Sequence, residues 1–427
     1  MEEIVVIGAG LAGCEAAMQI AKRNYRVKLY EMKPQKFSPA HSNNDLAEIV
    51  CSNSFKSNSL TNACGLLKEE LRRLGSELIP IADSVAVPAG QALAVDREKF
   101  SKAVTEKIES NPNIELIREE ITEIPKEGKI IIATGPLTSE GLSENIIKLI
   151  GKNDLHFYDA AAPIVEKSSI DMSIGFFGDR YGKGDSSYIN LPMNKEEYLN
   201  FYNELINAEI VELHEFEKRE IFEGCMPVEV MAKRGEDTLR FGPLKPVGFT
   251  DPRTQKRPYA IVQLRQDNVE GTLFNLVGFQ TNLKFGEQKR IFSMIPGLQN
   301  ANFIKYGVMH RNTFINSTKL LDKTYNLKSD SRIYFAGQIT GVEGYVESIS
   351  SGFVAGINAV SNKKIIFPKE TMIGALANYI STPNEKFQPM NANFGIIPKL
   401  DEKIKDKMER YEKLSERALL RINIENV

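Results

Sequence analysis

Apolar residues along the chain gather in short dense runs separated by polar turns. Ile4 to Ile7 is a β-branched run, and Val27 to Tyr30, Lys129 to Ile132 and Arg332 to Phe335 are further hydrophobic runs of strand length. Runs of this length without polar alternation predict strands buried on both faces. Helix formers follow the first run from Cys14 to Ala21, and small residues follow the last from Ser348 to Ala359. Strand then helix at both ends of the chain predicts an α/β fold. From about residue 160 to about 300 the pattern changes to strands with one helical stretch near Lys195 to Ala208. Turns recur there, at Gly242-Pro243 and Arg257-Pro258. Between Asp401 and Ile422, apolar residues at Ile404, Met408, Tyr411, Leu414, Ala418 and Ile422 recur at steps of three or four among charges. This predicts an amphipathic helix packed on the body.

The first turn carries chemistry. Gly8-Ala9-Gly10-Leu11-Ala12-Gly13 lies between a strand and a helix. Gly8 allows the tight turn, Gly10 lets backbone approach a pyrophosphate, and Gly13 lets helix pack on strand. The helix N-terminus then directs its free N–H groups at the anion. Glu31, 18 residues beyond Gly13, ends the second strand where a ribose-binding carboxylate belongs. Two later strands end in Ala133-Thr134-Gly135 and Ala336-Gly337-Gln338. This strand–glycine pattern at both ends of one chain resembles a glutathione-reductase-like, Rossmann-type FAD-binding domain, in which the late strand meets the ribityl chain and pyrophosphate. That resemblance implies FAD, with Gly135, Gly337 and Gln338 among its contacts. Gln338 departs from the acidic residue usual there. A late nucleotide segment also requires a split domain. The expected boundaries are residues 1–160 and 300–427 for the FAD domain, with 161–299 as an inserted mixed α/β domain for folate and RNA.

Composition narrows the class. The chain has 427 residues and a formal net charge of -2. The charge gives no global pull toward nucleic acid, so RNA must be met by a local patch and no DNA partner is expected. Between Val230 and Gln266, eight lysines and arginines from Lys233 to Arg265 face three acids, and Phe241, Phe249 and Tyr259 are interleaved. Such a stretch suits phosphates and unstacked bases. No apolar run reaches the roughly 20 residues of a membrane span, and no signal peptide opens the chain, so no membrane partner and a cytoplasmic location are expected. Cys14, Cys51, Cys64 and Cys225 form no C-x-x-C pair. His41, His156 and His214 have no metal-ligand spacing, so no metal site is expected.

Longer motifs point to one family: Ala47–Ser54 around Cys51, Pro88–Arg97, Phe157–Val165, Phe222–Glu229 around Cys225, Tyr306–Thr313 around His310, and Gln388–Gly395. Across nearly its whole length the chain resembles the folate- and FAD-dependent tRNA (uracil-5-)-methyltransferases, the TrmFO family, related to the GidA/MnmG flavoproteins. The resemblance implies transfer of the one-carbon unit of methylenetetrahydrofolate to uridine C5, with reducing equivalents from FAD recharged by NAD(P)H. The substrate is then the T-loop uridine of tRNA. Alternatives keep the chemistry on a ribosomal RNA uridine, or make the chain a GidA-like flavin RNA modifier. Uracil C5 is a poor nucleophile until a thiolate adds at C6. The resemblance assigns that attack to Cys225. It gives Cys51 an assisting part, handling the C5 proton or holding the flavin-bound carbon. It also places His310 over the pterin. Oligomeric state is left open.

Overall fold

A computed structural model describes residues 3–151, 155–156, 159–160, 162–182, 188–211, 226–268, 271–307, 309–310, 313–384, 387 and 389–422, with backbone alone at 155–156, 159–160 and 309–310. The apolar runs of the two chain ends come together in one six-stranded sheet. Strands β1 (Ile4–Ile7), β2 (Val27–Tyr30), β3 (Ile114–Ile117) and β4 (Lys129–Ile132) precede the middle of the chain, and β5 (Asn326–Leu327) and β6 (Asp330–Phe335) follow it. Their order is β5-β6-β4-β1-β2-β3, parallel except for the β5-β6 pair. Ile4, Val6, Ile130, Ile131, Ile132 and Phe335 are buried, as a sheet covered on both faces requires.

Helix α1 (Leu11–Lys22) leaves β1 through the glycine turn, and helix α2 (Tyr345–Val360) leaves β6. Gly13 lies inside the helix, whose first turn therefore begins two residues earlier than the Gly13 boundary of the motif. The two helices pack with their backbones touching. A Cβ on Gly352 would stand 2.2 Å from the Ala12 carbonyl oxygen, so only glycine permits this approach. The small residues of the late helix thus bring β6 and its glycine beside the first turn.

The middle of the chain forms a second, antiparallel sheet of six strands. Its order is Phe176–Phe177, Tyr188–Met193, Ala260–Gln266, Leu273–Leu276, Ile164–Glu166 and Phe303–Lys305. It has its own apolar core, including Tyr198, Phe201, Phe274, Phe279 and Phe292. Lys195–Ile206 is the helical stretch read from the pattern, begun by an Asn194 capping box. Three more helices, Val228–Ala232, Thr238–Phe241 and Phe285–Phe292, escaped that reading. The first two are too short to show a period, and the third covers barely two turns. Two short ladders tie the outgoing and returning chain together: Asp159–Ala160 with Met309–His310, and Leu155–His156 with Phe314–Ile315.

The C-terminal helix runs Lys407–Arg421, shorter than expected. Asp406 caps it by accepting the Glu409 amide at 2.8 Å, which leaves Ile404 outside. Leu414 and Ala418 are buried, Tyr411 stacks on Phe394 at 4.3 Å, and Met408 remains exposed.

Candidate functional site: a dinucleotide cleft and a latched cysteine loop

The turn between β1 and α1 opens into a cleft. With its open mouth the cleft holds about 1110 Å³ of empty space. Gly8, Ala9, Gly10, Leu11, Ala12, Glu31, Gly135, Gly337 and Gln338 all line it. Gly8 has φ of +97°, and a Cβ there would meet the Ala133 carbonyl oxygen at 2.8 Å. A Cβ on Gly13 would lie 1.8 Å from the Gly8 carbonyl oxygen, so Gly13 seals the turn from within. Gly10 differs: nothing lies within 4 Å of its Cβ position, so it faces open space. It is also the N-cap of α1, with no side chain capping the helix and no acid in the first turn. The amides and dipole there are free for an anion.

Glu31 stands at the rim of this turn and is nearly buried. One carboxylate oxygen accepts the Ala9 amide and the other the Lys33 amide, both at 3.1 Å. The same carboxylate thus orders the glycine turn. On the other side, the Gly337 amide donates to the Ser351 hydroxyl at 2.6 Å. Gln338 turns its amide nitrogen to Glu343, at 2.8 Å. The substitution of an amide for an acid therefore makes a neutral donor for a neighbouring carboxylate. Free amides, open backbone at Gly10 and a carboxylate on the second strand fit a dinucleotide with its pyrophosphate at the helix end.

Residues that carried no motif complete the cleft. His41 lines it, with Nδ1 2.5 Å from the Ser38 hydroxyl; burial, then the Lys33 charge, push the imidazole pKa down. Lys33, buried, donates to the Asp45 carbonyl at 2.6 Å and lies 3.4 Å from Glu48. Among the described residues no group of three or more His, Cys, Asp or Glu is placed to hold a metal ion. No helix there is long and apolar enough to cross a membrane.

Val50 and Tyr345 also line the cleft, and between them hangs the Cys51 loop. The Tyr345 hydroxyl accepts the amides of Cys51 and Ser52, both at 3.0 Å. Arg97 donates to the carbonyls of Ile49 and Val50 at 2.8 and 3.1 Å, and its Nε reaches Asp267 at 2.9 Å. Asn53 is fully buried. Its carbonyl oxygen accepts from Arg265 at 3.0 Å and Asn275 at 3.2 Å, and its amide nitrogen donates to Gln266 and Val95 at 2.7 and 3.1 Å. Arg265 also reaches the Ser52 hydroxyl, at 2.5 Å. The loop is thus latched to the inserted sheet by a buried polar network whose members satisfy one another. Burial pushes Arg97 down, but Asp267, followed by Tyr345, more than offsets this. Burial, then the Arg97 charge, pull Lys305 down. The Cys51 thiol, half-buried, acts electrostatically on Arg97, Lys305 and Tyr345 alike.

The other cysteines divide. Cys14 is buried and donates to the Ala9 carbonyl at 3.3 Å, and burial raises its pKa. Cys64 is buried too; burial, then Glu347, push it up to about 12. Both are free thiols held in their neutral form, as is typical of packed cysteines. Cys225 lies outside the described residues. The backbone of His310 pairs with Asp159 in the crossover ladder, and its side chain is likewise outside the description.

Residues 3–365 match the family described as "Glucose inhibited division protein A". A relative from Acetivibrio thermocellus, named methylenetetrahydrofolate–tRNA-(uracil-5-)-methyltransferase TrmFO, is 63% identical over 424 residues, covering 98% of this chain and 97% of its own. One of the same name from Fusobacterium nucleatum is 61% identical over 422 residues, covering 98% and 97%. The chain belongs to the TrmFO family. Two crystal forms of Aquifex aeolicus GidA share the fold at TM-scores of 0.69 and 0.71. Their identities are 17% and 16%; they cover 98% and 100% of this chain, which spans 74% and 76% of theirs. The motifs Ala47–Ser54 and Pro88–Arg97, quoted for the TrmFO resemblance, contain Asn53 and Arg97. Their presence there was a signal; their partners Asp267 and Asn275 had none, and Arg265, read in the sequence as part of the basic stretch for phosphates, is instead buried in this network.

Proposed function

We propose that the protein methylates C5 of a uridine in tRNA, using methylenetetrahydrofolate as the one-carbon donor, FAD as the redox group and NAD(P)H as reductant. The observation that carries this reading is the Cys51 loop, latched beside a dinucleotide cleft and beside two cations. Relatives at about 60% identity over nearly their full length bear the name of this activity.

The residues lining the cleft would hold FAD, which would supply the reducing equivalents that bring the transferred carbon to the methyl level. The chain's own residues bind and orient. Gly8, Ala9, Gly10, Leu11, Ala12 and Gly13 shape the anion site, and Glu31 is the carboxylate suited to the ribose once its backbone partners leave a lone pair free. Gly135, Gly337 and Gln338 border the remainder. Cys225, as nucleophile, adds to uridine C6 and makes C5 enolate-like, so that C5 forms the new bond to the donor's methylene carbon while that carbon's bonds to the folate nitrogens break. The C5 proton must then leave, and we assign its removal to Cys51. Arg97, which holds the Ile49 and Val50 carbonyls, and Lys305 are the cations whose charges interact with Cys51. Loss of Cys225 from C6 completes the turnover. His310 stacks on the pterin. The inserted segment, 161–299, carries folate and RNA contacts, and residues 1–160 with 300–427 carry FAD. We place the protein in the cytoplasm with its RNA.

The test is reconstitution. Purified protein with FAD, NADPH or NADH, methylenetetrahydrofolate and an unmodified tRNA transcript is expected to yield 5-methyluridine, located by nuclease mapping. FAD-loaded protein that forms no 5-methyluridine in any RNA refutes the proposal. A methyl group found only in ribosomal RNA refutes the tRNA assignment and keeps the chemistry.

A further inference from the structure

The basic stretch of the inserted segment interleaves three aromatic rings, and the structure separates them. Phe249 is 6% exposed, with the Arg180 guanidinium 4.9 Å from its ring centre. Tyr259 is covered by Arg240 at 3.6 Å and tilts against Tyr198 at 5.5 Å. Both are committed within the fold. Phe241 is 80% exposed. It ends the helix Thr238–Phe241 and walls a groove with Met226 and Met231, while Arg234 and Asp237 stand at the groove's rim.

The described chain from Met226 to Gln266, which contributes the groove, carries more cations than acids. Lys233, Arg234, Lys245, Lys256 and Arg257 are exposed. Of the described acids between Met226 and Gln266, Asp237 is paired with Arg240 and Asp251 with Arg253, Glu229 is buried against Thr281 and Asn282, and Glu236 is exposed. An exposed phenyl ring beside two methionine side chains, inside a field that attracts phosphate, matches how single-stranded RNA is held: cations follow the backbone and a ring takes the base. Methionine adapts to flat aromatic partners through its polarisable sulfur. Met226 directly follows Cys225, so the two Cα atoms are about 3.8 Å apart along the chain. The groove therefore lies one residue along the chain from the residue assigned to attack the pyrimidine.

We infer that the groove binds one unstacked nucleobase of the RNA substrate, with the Phe241 ring as its stacking face and Met226 and Met231 as its floor. This rests on the RNA reading above, and stacking gives it a distinct signature. Any base has a π face, so the subsite holds a nucleotide without choosing its identity.

The experiment is fluorescence anisotropy of a labelled T-arm hairpin against the full-length, FAD-loaded protein. The variants are Phe241→Ala, Phe241→Leu and Phe241→Trp. Phe241→Ala is expected to weaken binding roughly five- to 150-fold, the range of one lost base–aromatic stack. Phe241→Trp is expected to bind within about twofold of the parent, and Phe241→Leu to fall with the alanine variant. The dependence of log K on log salt is expected to keep its slope, since no phosphate contact is removed. Flavin absorbance and melting temperature check that each variant is folded and loaded. Phe241→Ala binding within twofold of the parent overturns the inference, as does rescue by leucine. Self-association of the parent that Phe241→Ala abolishes also overturns it, because the groove then receives a second copy. Failure of the parent to bind any RNA hairpin is a different result: it removes the proposed function itself.

Discussion

The glycine turn and the Cys51 loop border the same cleft and are held by opposite means. The turn is held almost wholly main chain to main chain, with the Tyr30 carbonyl and the Ala47 amide meeting Gly8 and Ala9, and Glu31 is the side chain that reaches it from beyond the next strand. The Cys51 loop is held by five side chains from three distant places: Arg97, the strand pair carrying Arg265, Asp267 and Asn275, and Tyr345. The turn needs only the absence of Cβ atoms. The loop needs charges and amides whose burial is tolerable only when every partner is present. A local site of the first kind survives changes elsewhere in the chain; one of the second kind fails as a unit.

The largest expected effect comes from breaking the latch. Asp267→Ala strands the buried Arg97 guanidinium and should lower folding stability by about 3–5 kcal/mol. It should remove methylation while the glycine turn keeps its sequence. Chemical denaturation and the methylation assay read both. Stability within 1 kcal/mol of the parent, by the same scale, means the latch is not cooperative.

A second long-range latch responds to pH. Glu70, fully buried, accepts the amides of Met372 and Ile373 at 2.8 Å each, capping a helix some 300 residues away. Burial raises its carboxyl from 4.5 to about 7, against those two amides. A carboxyl with a raised folded value binds its proton more tightly when folded. It therefore contributes stability at low pH that is lost as pH climbs from about 4.5 through 7, roughly 3 kcal/mol in all. Glu70→Gln should flatten that slope in denaturation curves taken across the window. An unchanged slope assigns the pH dependence to other groups.

The turn itself is tested by two glycines three residues apart. Gly13→Ala forces a methyl onto the Gly8 carbonyl oxygen and should lose about 1–3 kcal/mol of stability together with bound flavin. Gly10→Ala points its methyl into open cleft. It should leave the melting temperature near that of the parent and weaken FAD binding alone, as read by flavin fluorescence during titration. Equal effects on melting and on flavin in both variants mean that the two glycines do not divide the labour.

Tyr345→Phe is expected to have the smallest effect on folding. It deprives two amides of one acceptor, a loss of about 1 kcal/mol or somewhat more. Its larger consequence should be freer motion of the Cys51 loop, visible as faster alkylation of Cys51 by iodoacetamide, with Cys14 and Cys64 unreactive. No change in that rate removes Tyr345 from the latch.

How far each part was legible follows from these differences. The four apolar runs announced β1, β2, β4 and β6, and Gly8, Gly10 and Gly13 announced their turn, because one strand and its following helix are joined by a few residues of chain. The short helices of the inserted segment were not legible, since four or five residues show no period. The C-terminal helix was read seven residues too long, six of them before Lys407, because periodicity ignores where an Asp406 cap starts it. The place of Cys51 beside a cleft could be named from its motif, but not what holds it there.

Covalent spacing settled the anion-binding turn: glycine intervals and a strand of fixed rise place the amides whatever the remainder of the chain does. The pairing of Arg97 with Asp267, or of Asn53 with Arg265, spans about 170 to 212 residues and obeys no interval. It exists only once two sheets are folded and face each other across the loop. Burial then turns ordinary polar side chains into partners that cannot be left single.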